Sequence, residues 1–164
     1  NRPMHTRASA LIERLGLKLH PEGGYYREVY SSPITVSAGD GREGVSALTT
    51  IYFLLAGEQY SRFHRVRSDE VWHFYEGDEL ELYIVDADTF ACRRRRLGPV
   101  DEGRDAVTVV PAGCWQAART AGDYTLAGCS MGPGFRFEDF EMLGDRPEEQ
   151  ARLLASLPEL DYLV

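Results

Sequence analysis

At 164 residues, 43% hydrophobic and 27% charged, the chain is long enough to build its own core and has the balance of one ordinary globular domain spanning residues 1–164. Eighteen basic against twenty-six acidic residues give a net charge of −8, which argues against nucleic acid as a partner because phosphate binding needs a basic footprint. No apolar run approaches the roughly 20 residues that cross a bilayer, so no membrane partner is expected.

The N-terminal "NRPMHTRASALIERLG" is charged throughout and lacks a signal-peptide apolar region. Within it, residues 7–15 predict a short helix: Leu11, Ile12 and Leu15 recur at helical spacing, Thr6 caps the start and Gly16 ends it. "HPEGGYYREVYSSP" then marks a turn followed by a strand, with Tyr25, Arg27 and Val29 alternating against Tyr26, Glu28 and Tyr30. From residue 46 to about 140, "SALTTIYFLL", "VWHFYEG", "LELYIVD", "AVTVVP" and "YTLAGCSM" are rich in Val, Ile, Thr, Tyr and Phe. Short strands at this spacing indicate a β-sandwich or double-sheet barrel. "RRRR", residues 93–96, reads as an exposed edge strand protected by charge, and "FRFEDF", residues 135–140, as a segment packed along the barrel. A helix returns at about 146–157, with Asp145 and Glu148 as a capping box and Leu153, Leu154 and Leu157 on its apolar face. Cys92, Cys114 and Cys129 are odd in number and widely spaced, and read as reduced structural thiols of a cytoplasmic protein.

The chemistry concentrates in "SRFHRVRSDEVWHFYEGD", residues 61–78. His64 precedes a turn and Glu70 opens the next strand, so a hairpin brings them together. An imidazole and a carboxylate then form either two ligands of a divalent metal or a base with its orienting partner. His73 faces a parity problem: on a regular strand Glu70 and Trp72 share one face, Val71 and His73 the other, and only a bulge unites His73 with Glu70. Gln116 begins the strand after the "PAGC" turn, either as a solvated residue or pointing inward. Phe63, Trp72, Phe74 and Tyr83 are candidates for the wall of a pocket, with core packing as the alternative. Glu28 and Arg27 are outside candidates, while His20 and Glu22, at the tip of a turn, read as structural residues, with reach into a pocket as the alternative.

These residues carry a resemblance to the cupins. Their first motif, G-x(5)-H-x-H-x(3,4)-E-x(6)-G, is met by His64, Glu70 and Gly77; the second, G-x(5)-P-x-G-x(2)-H-x(3)-N, by Pro111 and Gly113. Val66 stands where the second His is usual and Gln116 where the last one is, so two of four metal ligands are replaced. "HPEGGYYREVY", "SRFHRVRSDEVWHFYEGD" and "VVPAGCWQAA" together resemble the cupin-5 branch, likened to the deoxysugar-epimerase cupins. The resemblance covers residues 8 to 150 or so. It implies an all-β double-stranded β-helix, a jelly roll with its barrel core at about 18–142 and short helices at both ends. It also implies an isomerase or epimerase acting on a sugar or other carbonyl compound, with His64 as general base and Glu70 tuning it. Two alternatives stay open. One is a metal enzyme holding Ni, Zn, Mn or Fe on His64 and Glu70 with His73 or Gln116; the other is a barrel that only binds a small ligand. The resemblance further implies a homodimer paired through the "GGYYREVY" strand.

Overall fold

The computed structural model describes residues 3–164; residues 1 and 2 of the expected domain lie outside the described residues. Helix α1 (Thr6–Leu15) is capped by His5, one residue before the expected Thr6: its Nδ1 accepts the Arg7 N–H at 3.2 Å. Gly16, at φ 64°, closes the helix in the left-handed region. The strands follow in order: β1 (Lys18–Leu19), β2 (Tyr25–Ser31), β3 (Thr35–Val36), β4 (Val45–Ser46), β5 (Thr49–Ala56), β6 (Tyr60–Arg65) and β7 (Asp69–Gly77). After these come β8 (Leu80–Val85), β9 (Cys92–Leu97), β10 (Val107–Val110), β11 (Trp115–Thr120), β12 (Tyr124–Gly132), β13 (Glu141–Met142) and helix α2 (Pro147–Ser156).

Among the described residues, one sheet runs β1-β2-β5-β12-β7-β10 and a second runs β13-β6-β11-β8-β9, with antiparallel pairing throughout. The two face each other as a jelly-roll barrel, the all-β double-sheet architecture that the strand spacing predicts. Period-2 alternation sorts the side chains. Phe53, Leu55, Trp72, Leu82, Ile84, Ala127 and their neighbours fill the space between the sheets. The outer faces are covered by the chain's ends. Ala8, Leu11 and Leu17 pack on Leu54, Ala56 and Leu126 of the first sheet. Leu143, Leu153, Leu160 and Leu163 pack on Phe63, Tyr83, Val85 and Trp115 of the second.

The arginine strand β9 is the edge of its sheet, and Arg93 to Arg96 are exposed. The expected Asp145–Glu148 capping box does not form. Pro147 takes the first helical position, where its missing N–H costs nothing, and Arg146 becomes the cap residue without a side-chain hydrogen bond.

Candidate active site

One end of the barrel opens into a cavity of about 470 Å³ lined by His20, Glu22, His64 and Glu70 and by aromatic rings. Three pieces of backbone bring these groups together. The first is the turn before β2. It docks on β6 through the Arg62 N–H, which donates to the Glu22 carbonyl at 2.8 Å. Gly23 makes this possible: at φ 109° it lies so close to β6 that a Cβ there would sit 2.0 Å from the Tyr60 carbonyl oxygen. Glu22 thereby enters the cavity, 5% exposed.

The second piece is a bulge in β6. Gln116 pairs with His64 but Ala118 pairs with Ser61, so β6 carries one residue more than β11 between those points. Ser61 and His64, three positions apart, consequently reach the same carboxylate. Ser61 Oγ donates to Glu22 Oε2 at 2.6 Å, and His64 Nε2 lies 2.7 Å from that oxygen. His64 Nδ1 lies 2.7 Å from the Arg62 carbonyl, which can only accept, so Nδ1 carries a proton. With both nitrogens facing acceptors the ring is an imidazolium. Burial works against its charge, but the Glu22 carboxylate outweighs burial and raises the His64 pKa; Glu22 in turn is held below the usual carboxylate range by His64, against its own burial.

The third piece is β7 of the first sheet with β11 facing it from the second. Trp72 Nε1 donates to Gln116 Oε1 at 3.1 Å, and Gln116 Nε2 donates to Glu70 Oε1 at 2.8 Å. The indole thus fixes the amide and the amide fixes the carboxyl. Burial pushes the Glu70 pKa up to about 7, with the Glu22 charge adding to the rise and His64 opposing it. Opposite stands an aromatic wall from the segment after β12, tied down by the Phe135 N–H to Thr49 Oγ1 at 2.8 Å and by Arg136 to Asp139 at 2.8 Å. Phe140 stacks on His64 with centroids 5.4 Å apart, and Phe135 and Phe137 meet edge to face at 4.8 Å.

Residues 9–143 match the Cupin_5 profile, described as Cupin superfamily (DUF985). The chain belongs to the Cupin_5 family. It is 37% identical to a hypothetical protein from Leishmania major, covering 82% of this chain and 85% of that one with a TM-score of 0.76. It is 34% identical to protein SO0799 from Shewanella oneidensis, covering 82% and 83% with a TM-score of 0.75. An oxalate decarboxylase from B. subtilis shares the fold alone, at 18% identity and TM-score 0.57, covering 77% of this chain and 30% of that one. No functionally curated protein matches the chain.

Set in this Cupin_5 barrel, the sequence-predicted residues divide. His64 and Glu70 line one cavity, and Arg27 and Glu28 lie at its more exposed side. Gln116 is wholly buried behind Glu70 as its hydrogen-bond partner. His73 is on the other face of β7: it pairs with Val107 and Gly128, and the register of β7 against β12 shifts only beyond Phe74, too late to turn it inward. Phe63 points away from the cavity, because the strand that turns its neighbour His64 in leaves Phe63 against Leu143 and the C-terminal residues. Tyr83 shares that outer layer, while Trp72 and Phe74 belong to the packed interior. The rings that do line the Cupin_5 cavity are Tyr26, Phe135, Phe137 and Phe140. His20 and Glu22, read from sequence mainly as structural turn residues with reach into a pocket as the alternative, are in the site; the double glycine after them, read only as serving the turn, is what allows the turn to lie against β6.

A metal centre does not fit this donor arrangement. Both His64 nitrogens face protein acceptors, the Gln116 oxygen is held by Trp72, and His73 is on the opposite face. Among the described residues no group of three or more His, Cys, Asp or Glu is placed to hold a metal ion.

Proposed function

We propose that this cupin cavity transfers a proton on a small carbonyl compound of about the size of a sugar, an isomerase- or epimerase-type reaction in which Glu70 carries the proton. The observation that carries the reading is the state of Glu70: a buried carboxyl with a pKa of about 7, locked by Gln116, beside a His64–Glu22 ion pair in which each partner favours the charge of the other. Carboxylates driven apart in pKa within one cavity are the usual sign of divided acid and base roles. His64 gives up the base role expected of it, since its nitrogens are already protonated; as an imidazolium it supplies positive charge instead.

In the proposed step Glu70 takes the proton from the carbon next to the carbonyl. The electron pair of that C–H bond moves to form the enediolate, and its negative charge develops on the carbonyl oxygen. Return of the proton from Glu70 to the same carbon restores the starting carbonyl or its epimer; its return to the former carbonyl carbon, with the hydroxyl proton of the neighbouring oxygen passing to the first oxygen, gives the isomer. The buried cavity and its aromatic wall exclude water from the intermediate and offer ring faces to the C–H side of a sugar-like substrate.

The test is deuterium exchange. Wild-type protein incubated in D2O with a panel of aldoses, ketoses and small hydroxyketones is expected to exchange the hydrogen next to the carbonyl of at least one of them, read by proton NMR. The rate should rise with pH through about 7 as Glu70 becomes a carboxylate, and Glu70→Gln should lower it by about a hundredfold or more. Saturable binding of a panel member with neither deuterium exchange nor formation of an isomer would replace the enzyme reading by that of a ligand-binding barrel.

Two further expectations belong to the same proposal. A homodimer through β2 is supported by the exposed Val29 and Tyr30 on that strand. A reducing, cytoplasmic setting is supported by Cys92, Cys114 and Cys129, all free thiols. Among the described residues no helix is long and apolar enough to cross a membrane.

A further inference from the structure

We propose that His20 presents its Nε2–H as the hydrogen-bond donor for the oxygen of a bound carbonyl compound, the atom on which charge develops when Glu70 removes a proton. This assignment rests on the proton-transfer reading above. It begins with the tautomer. The backbone N–H of Glu22 donates to His20 Nδ1 at 3.2 Å, so the lone pair of Nδ1 is in use. Glu22 Oε1 is also close, 3.3 Å from Nδ1, but no hydrogen bond runs from the ring to it. The proton of a neutral ring with an accepting Nδ1 is on Nε2.

That nitrogen has no hydrogen-bond partner among the described residues, although the side chain is only 5% exposed and the ring lines the cavity. Among the buried donors around Glu22 and Glu70, Ser61 is committed to Glu22, Gln116 to Glu70 and Trp72 to Gln116, and Lys18 and Arg27 line the more exposed side of the cavity. The surroundings keep His20 neutral. Tyr26, Phe53, Phe135, Phe137 and Phe140 surround it with centroids 4.6–6.4 Å away. Burial lowers its pKa, the Glu22 charge raises it and the His64 charge lowers it, with a net fall. A neutral imidazole polarises a carbonyl without trapping the product as a tight ion pair, and a pre-aimed donor in a water-poor cavity needs no reorientation as charge builds.

The probe is glycolohydroxamate, a small mimic of an enediolate, measured by calorimetry at pH 7 and by nitrogen NMR of protein labelled with 15N-histidine. Wild type is expected to bind it, with His20 Nδ1 unprotonated and the Nε2–H signal shifted on binding. His20→Phe, which keeps a ring among rings, should weaken binding about tenfold or more, whereas His20→Gln, whose amide N–H replaces Nε2–H, should stay within about threefold of wild type. Equal binding by His20→Phe, no binding by wild type, or a protonated Nδ1 would overturn the assignment. The deuterium-exchange assay separates the two readings. Exchange that His20→Phe leaves unchanged removes the donor role alone. Probe binding through Nε2–H without exchange of any carbonyl compound removes the reaction and leaves His20 as an oxygen-binding group.

Discussion

Glu22, on the turn docked against β6, and Glu70, on β7 of the other sheet, line one cavity, both buried, and the protein moves their pKa values in opposite directions. On the Glu22 wall the partners are a hydroxyl and an imidazolium, so burial is overcome and the carboxylate keeps its charge. On the Glu70 wall the partner is an amide held by an indole; a neutral donor compensates only in part, and the carboxyl keeps its proton until about pH 7. Burial alone therefore does not decide what a carboxyl does. The formal charge of the partner decides, and the backbone makes that choice: the neighbouring strands β6 and β11 of one sheet present His64 to Glu22 and Gln116 to Glu70.

The contrast is broken most severely at Glu22. Glu22→Gln leaves the buried His64 without its counter-charge, and urea unfolding at pH 7 is expected to show a loss of about 3–5 kcal/mol. In that variant the His64 pKa should fall, since burial is then opposed by less negative charge; NMR titration of the ring checks it. The wild-type pair also has a defined pH window. The raised pKa of His64 stabilises fully below its unfolded value near 6.5, and this is lost as pH rises through the folded one. The lowered pKa of Glu22 stabilises fully above its unfolded value near 4.5, and this is lost as pH falls through the folded one.

Glu70→Gln should act in the other direction. A folded pKa of about 7 against an ordinary 4.5 means the folded state binds the proton more tightly, so wild-type stability declines between those values as pH rises. The substitution is expected to stabilise the protein by roughly 2–3 kcal/mol at pH 8 and to change little at pH 4, as measured by denaturation at both. A group that costs stability at working pH and is removed at a gain fits a functional role better than an architectural one. Trp72→Phe comes next: it frees the Gln116 oxygen and is expected to cost about 1–3 kcal/mol, seen as a lower denaturation midpoint. His73→Gln, on the far face of β7, should change stability by less than about 1 kcal/mol and leave deuterium exchange unaltered.

The barrel was legible because short runs rich in Val, Ile, Thr, Tyr and Phe recur between turn-like pieces, and the exposed arginines of β9 announced an edge. His64 and Glu70 were legible as a pair because only a short turn separates their strands, but no hairpin forms: β6 belongs to the second sheet and β7 to the first, and the two side chains meet across the barrel. His20 and Glu22 were not, because their place depends on a contact some forty positions away with a strand whose bulge no composition reveals. Phe63 was misplaced for a simpler reason: it is the neighbour of His64 on β6, so a strand that turns His64 inward turns Phe63 outward. The aromatic wall was hidden for a related reason: "FRFEDF" has the alternation of a strand, yet a 3-10 turn at Phe137–Asp139 gathers its three phenylalanines around the cavity.

Gly23 carries no functional group and touches nothing that ionises, yet it governs the electrical state of the cavity at a distance. Any larger residue there would drive a carbon into the Tyr60 carbonyl and lift the turn off β6, and Glu22 would leave with it. A methyl group's worth of volume at position 23 would thus be read forty-one residues later as a deprotonated His64. In this protein a change of shape, without any change of chemistry, is enough to alter the charge of the site.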